Sequence, residues 1–159
     1  MPFLDILPVE RVRAGLEVAG KPALLDELAR LLAIPRGSAK TIRVALADRE
    51  QQGSTGLGRG VAIPHGRSSE VSTPRAAFVR LAQPLEFEAI DARPVDLVAA
   101  LIVPAGYTTQ HLELLAELAE MFSDGGLTEA LRTAVDAPAL RAELAEFAAN
   151  RSRGHAWTD

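Results

Sequence analysis

No cysteine occurs among the 159 residues. That removes disulfides, thiolate metal sites and cysteine nucleophiles, and it fits a reducing compartment. Aromatic residues make up only 4% of the chain, so a core has to be built from Leu, Val, Ile and Ala. No apolar run approaches the ~20 residues needed to span a bilayer. The opening Met1-Pro2-Phe3-Leu4-Asp5 lacks a basic stretch followed by a long apolar one, so no signal peptide is expected. The expectation is a cytoplasmic protein with no membrane insertion. Positive charge is also lacking: the net charge is −4, which argues against broad nucleic-acid binding.

What is present suits one globular domain. The length falls within the usual roughly 100–200 residues per domain, and 48% of the residues are hydrophobic. Charge is unevenly spread: residues 1–80 hold 12 Arg/Lys against 8 Asp/Glu, and residues 81–159 hold 5 against 13. A basic first half can attract phosphate if its charges share a surface. Arginine outnumbers lysine 15 to 2, which reads as a compositional habit of the source.

Apolar periodicity predicts a helix over residues 21–33, with Leu24, Leu28 and Leu31 on one stripe, Pro22 in its first turn and Pro35 and Gly37 as its stop. Ser38 is a candidate cap for a second helix over 39–51, with Ile42, Ala45 and Leu46 facing inward. Short β-type runs follow at 55–57 and 61–63, then strands at 76–81 and 96–103. The second of these is almost continuously apolar, as a strand buried on both faces would be. Thr108 or Thr109 can cap a helix over 110–122, and shorter helices are expected over 127–134 and 138–149. The fold class is therefore α/β: a single domain with a central sheet flanked by helices. It should span residues 1–150, with 151–159 as a flexible C-terminal tail.

The densest chemical signal is the segment from Arg49 to Arg67. Its glycines permit close backbone approach or positive φ, and its arginines offer planar forked donors that match phosphate oxygens. His65 sits between Pro64 and Gly66 after an apolar run. The segment is no Walker A loop, because no Gly-Lys-Ser/Thr follows. It is no dinucleotide fingerprint, because Val61 stands where the last glycine is required. Taken alone, the glycines could simply form a hairpin.

Histidine is often packed or exposed with no chemical task, but it is also the side chain best suited to group transfer near neutral pH. A neutral His65 has one nucleophilic ring nitrogen, able to take a phosphoryl group by in-line displacement. His111 falls on an apolar stripe with Leu115, Leu118 and Phe122. By itself it reads as a core histidine, yet a helix N-terminus beside it favours a neutral ring and a nearby anion. His155 and Trp157 read as surface residues. No metal site and no cofactor is expected, since no histidine sits in a metal-type spacing.

The run from Ser54 to Arg67, ending in Pro64-His65-Gly66, resembles the active-site segment of the IIA components of the phosphoenolpyruvate-dependent phosphotransferase system, fructose/mannitol/nitrogen type. Arg49-Glu50, the run from Pro94 to Val98 and the run from Gln110 to Ala116 fit the same pattern. The resemblance covers roughly residues 4–148. It implies a mixed central β-sheet flanked by helices, phosphorylation of His65, and stabilisation of the phosphoryl group by His111 and Arg49. Ser54, Thr55, Arg59 and Arg67 are further phosphate-site candidates, without assigned roles. It implies an HPr-like phosphocarrier protein as donor.

The stretches from Phe3 to Leu7 and from Gly20 to Ala29 look more like the nitrogen-regulatory branch, whose members act on regulatory targets. Potassium transport proteins and sensor kinases are the expected kinds of target. The alternatives are a sugar-specific IIA that passes phosphate to a IIB domain, a metal-free phosphodiesterase using His65 and His111 as acid and base, and a pure binding module.

Overall fold

The structure is a computed structural model that describes residues 2–34 and 39–156, with side chains up to Arg151. Pro35, Gly37 and Ser38, expected to stop one helix and cap the next, lie outside the described residues, as do Trp157 and the side chain of His155. Two 3₁₀ turns, Phe3–Ile6 and Val9–Arg11, lead into β1 (Val12–Leu16). Helices α1 (Lys21–Leu32) and α2 (Ala39–Gln51) follow. Next come three short strands, β2 (Gly56–Gly58), β3 (Val61–Ala62) and β4 (His65–Ser68), and two long ones, β5 (Arg75–Leu85) and β6 (Val95–Pro104). Helices α3 (Thr109–Met121), α4 (Gly125–Thr133) and α5 (Ala137–Ala156) complete the chain.

The six strands form one mixed sheet in the order β1-β5-β6-β3-β2, with β4 also pairing β6. β6 runs antiparallel to β5 and parallel to both β3 and β4. Because strand side chains alternate faces, β6 feeds two cores. Leu97, Ala99, Leu101 and Val103 pack with α3, α4, α5 and the N-terminal turns. Val98, Ala100 and Ile102 pack with Leu24, Leu28 and Leu32 of α1 and with Ile42 and Leu46 of α2. Both faces of β6 are thus dry, which is what its continuous apolar sequence predicted.

Several expectations need correction. β1 and β4 were not expected as strands. β1 has a single buried residue, Val12, and β4 (His-Gly-Arg-Ser) contains no strong β-former, so both exist through pairing with β5 and β6. The last helix runs to Ala156, seven residues beyond the expected end at Ala149, so the backbone is helical into a stretch that shows no sequence pattern. Thr108 does occupy the N-cap position of α3 but makes no side-chain cap bond; its backbone is already helical there. Asp124, by contrast, caps α4 by accepting from Leu127 N–H at 2.9 Å.

The two-sided burial of β6 sets a stability expectation. Leu101 is fully buried, whereas Leu112 on α3 is 62% exposed. Leu101→Ala should cost about 2–5 kcal/mol through lost contacts and the cavity left behind. Leu112→Ala should stay within about 0.5 kcal/mol of the parent. Urea unfolding of the two variants distinguishes them, and equal midpoints would contradict the two-layer core.

Candidate active site

β4 is flanked by β6 on one side only, and the cleft of about 510 Å³ opens along it. Ala45, Asp48, Arg49 and Gln52 line one wall, from α2 and the residue that follows it; His111, Leu112 and Leu115 of α3 line the other; His65, Gly66 and Arg67 of β4 form the floor. The spacing of the α2 group, i, i+3, i+4, i+7, is one helix face. That spacing is the sequence signal by which Asp48 and Gln52, missed beforehand, could have been found.

Alternation along β4 distributes the roles. His65 stands opposite Leu101 in the register and shares the α3 side of the sheet with it. Gly66 faces α2, where a Cβ would lie 3.1 Å from the carbonyl carbon and oxygen of Ala45. Only glycine allows this approach of helix to strand without displacement. Arg67 returns to the α3 side, with its guanidinium 3.5 Å from Thr108 Oγ1.

The two histidine rings are 5.2 Å apart between centroids and tilted by 52°. Both are buried. His65 Nδ1 lies 2.8 Å from the carbonyl oxygen of Ile63. A carbonyl can only accept, so Nδ1 carries the proton and the lone pair resides on Nε2. His111 Nδ1 is buried with no hydrogen-bond partner among the described residues. With no acceptor beside Nδ1, the proton belongs on Nε2, at the cleft side of that ring.

Burial is the main reason both rings resist protonation. His65 is held below the ordinary imidazole range by desolvation, although the Ile63 carbonyl and the Glu50 carboxylate favour its charged form; Arg49 and Arg67 oppose it. His111 is pushed down to about 4 by desolvation, then by repulsion from His65 and Arg67. Each ring is therefore a neutral imidazole at pH 7, with cationic arginines close enough to be felt.

Of the candidate phosphate-site residues, the structure brings His65, His111, Arg49 and Arg67 to one cleft and turns three elsewhere. Arg49 also clasps the end of its own helix, donating to the Gly53 carbonyl at 2.9 Å. Ser54 donates to the Phe87 carbonyl and accepts from Gly56 N–H at 3.0 Å, so its hydroxyl organises the loop. Thr55 is buried and donates to Glu50. Arg59 sits at φ 60° in the β2–β3 hairpin, its guanidinium 2.6 Å from the Ser123 carbonyl in a different depression. The glycines accordingly serve the hairpin: Gly58 and Gly60 have φ of 92° and 81°, and neither they nor Gly56 line the histidine cleft.

Two neutral imidazoles and two arginines at one cleft bring a nucleophile together with cationic groups that suit an anion. The family model described as "Phosphoenolpyruvate-dependent sugar phosphotransferase system, EIIA 2" matches residues 5–147. The chain belongs to this family and is a phosphocarrier of the IIA type.

Within it, the chain is 37% identical to the nitrogen regulatory protein of Bradyrhizobium diazoefficiens, over 91% of this chain and 95% of that protein. It is 43% identical to the nitrogen regulatory protein of Escherichia coli K12, over 82% of this chain and 81% of that one. The crystal structure of nitrogen regulatory protein IIA-Ntr from Neisseria meningitidis superposes with a TM-score of 0.84 at 41% identity, covering 89% of this chain and 97% of that chain. Among the described residues no helix is long and apolar enough to cross a membrane.

The neutral, buried state of His111 has a measurable consequence. The unfolded chain takes up this proton near 6.5, the folded protein only near 4. Between those values the unfolded state binds more protons, so stability falls as pH falls through the window. His111→Gln should flatten the decline of the urea midpoint between pH 6.5 and pH 4. Parallel declines in parent and variant would show that His111 is not held neutral by the fold.

Proposed function

We propose that His65 Nε2 is the atom that accepts a phosphoryl group from an HPr-like donor, and that regulatory partner proteins read whether the group is present. The observation that carries this reading is the hydrogen bond from His65 Nδ1–H to the Ile63 carbonyl. It leaves one nucleophilic nitrogen and fixes which one. In transfer, the Nε2 lone pair forms the new N–P bond as the bond from phosphorus to the donor's leaving group breaks. Positive charge grows on the His65 ring as its lone pair is used. The Ile63 carbonyl, already in place, stabilises that charge through Nδ1–H.

The rest of the cleft acts on the anion. His111 Nε2–H, facing the cleft, donates to a phosphoryl oxygen without carrying a proton that could be lost to it. Arg49 from the α2 wall and Arg67 from the floor supply positive charge to the cleft. Such preorganised donors and charges are the main requirement of phosphoryl transfer. Neutrality of both rings also favours a carrier over an acid/base pair, since an acid/base pair needs one imidazole protonated at working pH.

The regulatory role draws on the names of the relatives, which are nitrogen regulatory proteins at 37% and 43% identity. Their targets, by this reading, lie in nitrogen or potassium regulation, as transport proteins or sensor kinases. A bound phosphoryl group adds about −1.5 to −2 charge, by analogy with other phosphorylated side chains. Between two arginines and beside the exposed Leu112 side chain, that changes the charge a docking partner meets.

Incubation with phosphoenolpyruvate, Enzyme I and an HPr-type carrier should add one acid-labile phosphoryl group to the parent, read by intact mass, and none to His65→Ala. Full labelling of His65→Ala would remove the central claim. His111→Ala should fold and accept phosphate more slowly. Phosphorylation should raise the pH at which His111 titrates in the parent, because the new anion favours its charged form. Transfer onward to a purified sugar-type IIB domain would support the sugar-transport reading instead.

A further inference from the structure

Glu50 adjoins Arg49 in sequence, yet its carboxylate is turned into the protein: the side chain is only 6% exposed. A buried carboxylate is costly unless paired; here one oxygen is hydrogen-bonded, and the other forms an ion pair but no hydrogen bond of good geometry. Oε1 accepts from the Thr55 hydroxyl. Oε2 lies 2.7 Å from Lys21 Nζ, which also stands 4.4 Å from the centre of the Phe87 ring. Lys21 opens α1, where the helix dipole disfavours a cation. Its position is thus explained by Glu50 and Phe87 rather than by its own helix.

The chain of contacts continues to the cleft. Thr55 is buried, and its carbonyl accepts from Ile63 N–H at 3.0 Å. Ile63 in turn offers its carbonyl to His65 Nδ1–H at 2.8 Å. An ion pair from Lys21 to Glu50 and hydrogen bonds from Thr55, Ile63 and His65, the middle one made by the Thr55 main chain, therefore connect α1 and α2 to the β2–β4 segment. The carboxylate fixes the Thr55 side chain, Thr55 anchors Ile63 by its N–H, and Ile63 selects the His65 tautomer. Partners that orient a functional imidazole through its second nitrogen also set which atom is reactive.

We propose that Glu50 is a positioning residue for His65. Held by Lys21 and acting through Thr55 and Ile63, it keeps the ring in the Nδ1–H form with Nε2 free at the cleft. Glu50 does not touch the transferred group; Arg49, its neighbour on α2, lines the cleft while Glu50 secures the scaffold behind it. The carboxylate also lies close enough to favour positive charge on His65, the charge that transfer creates. The consequence for transfer rests on His65 being the phosphoryl acceptor; the consequence for the ring does not.

The test uses Thr55→Val, which deletes the hydroxyl at constant shape, Thr55→Ser, which restores it, and Glu50→Gln, which keeps an acceptor for Thr55 but drops the charge. Folding is checked by circular dichroism and thermal melting. In the unphosphorylated proteins, ¹⁵N NMR of the His65 ring should show a single Nδ1–H tautomer in the parent and in Thr55→Ser, and a mixture in Thr55→Val. Glu50→Gln should keep the tautomer but titrate His65 at lower pH.

With an HPr-type donor, Thr55→Val should lower kcat by about 10-fold or more with KM for the donor unchanged, and Thr55→Ser should recover it. A folded Thr55→Val with one Nδ1–H tautomer and a parent-like kcat would overturn the proposal. If the parent itself takes no phosphoryl group, the carrier reading falls, while the tautomer measurement still decides the positioning role. If Thr55→Val does not fold, the ring tautomer in Glu50→Ala decides it, and a single Nδ1–H form there would overturn the proposal.

Discussion

From Leu97 to Pro104, β6 is buried on both faces, and the rest of the molecule is arranged around that constraint. Its alternating residues reach into two separate apolar cores, one under α1 and α2 and one under α3, α4 and α5. The strands that carry the site cannot stand by themselves: β3 has two residues and β4 has four. They hold extended geometry because β6 supplies their backbone partners. His65 is therefore located by β6, a strand that comes later in the chain, through its register with Leu101 and the bond from Leu101 N–H to the Pro64 carbonyl at 3.0 Å.

The same layering explains why the cleft lies where it does. α2 belongs to one core and α3 to the other, and at the open edge of β4 the two layers meet without sheet between them. Arg49 arrives from the first layer and His111 from the second. Neither wall can move without disturbing the packing of its own core, so the separation of the groups is set by the sheet. The histidines are neutral for a related reason: the packing that positions them also removes the water that would stabilise their charge.

Much of this architecture was legible in the sequence because periodicity is a local signal. The stripe of leucines in α1, the span of α2 and the apolar run of β6 were all visible, whereas the grouping of His65 with His111 and Arg49 followed from the family resemblance; the three side chains line one cleft. β1 and β4 were not, because Val-Arg-Ala-Gly-Leu and His-Gly-Arg-Ser contain no pattern that favours a strand; tertiary pairing decides their state. The glycine-rich run left two readings open. Spacing alone does not distinguish a phosphate cradle from a tight hairpin, and Gly58, Arg59 and Gly60 adopt positive φ to turn the chain between β2 and β3. Ser54 and Thr55 were phosphate-site candidates without an assigned role, and their hydroxyls bond Phe87 and Glu50, residues whose proximity depends on the folded chain.

At Gly66, the missing side chain acts as a dimension of the site. α2 rests so close to β4 that a Cβ at this position would lie 3.1 Å from Ala45. The gauge of the cleft, from the Arg49 wall to the floor beneath it, is thereby set by an atom that is not there. A single methyl group at this point would behave as a shim, lifting the helix by a few tenths of an ångström and carrying its arginine along. Drift in that gauge is thus confined to sequence changes that keep position 66 bare, while the outer rim of the cleft is free to diversify with whatever partner docks there.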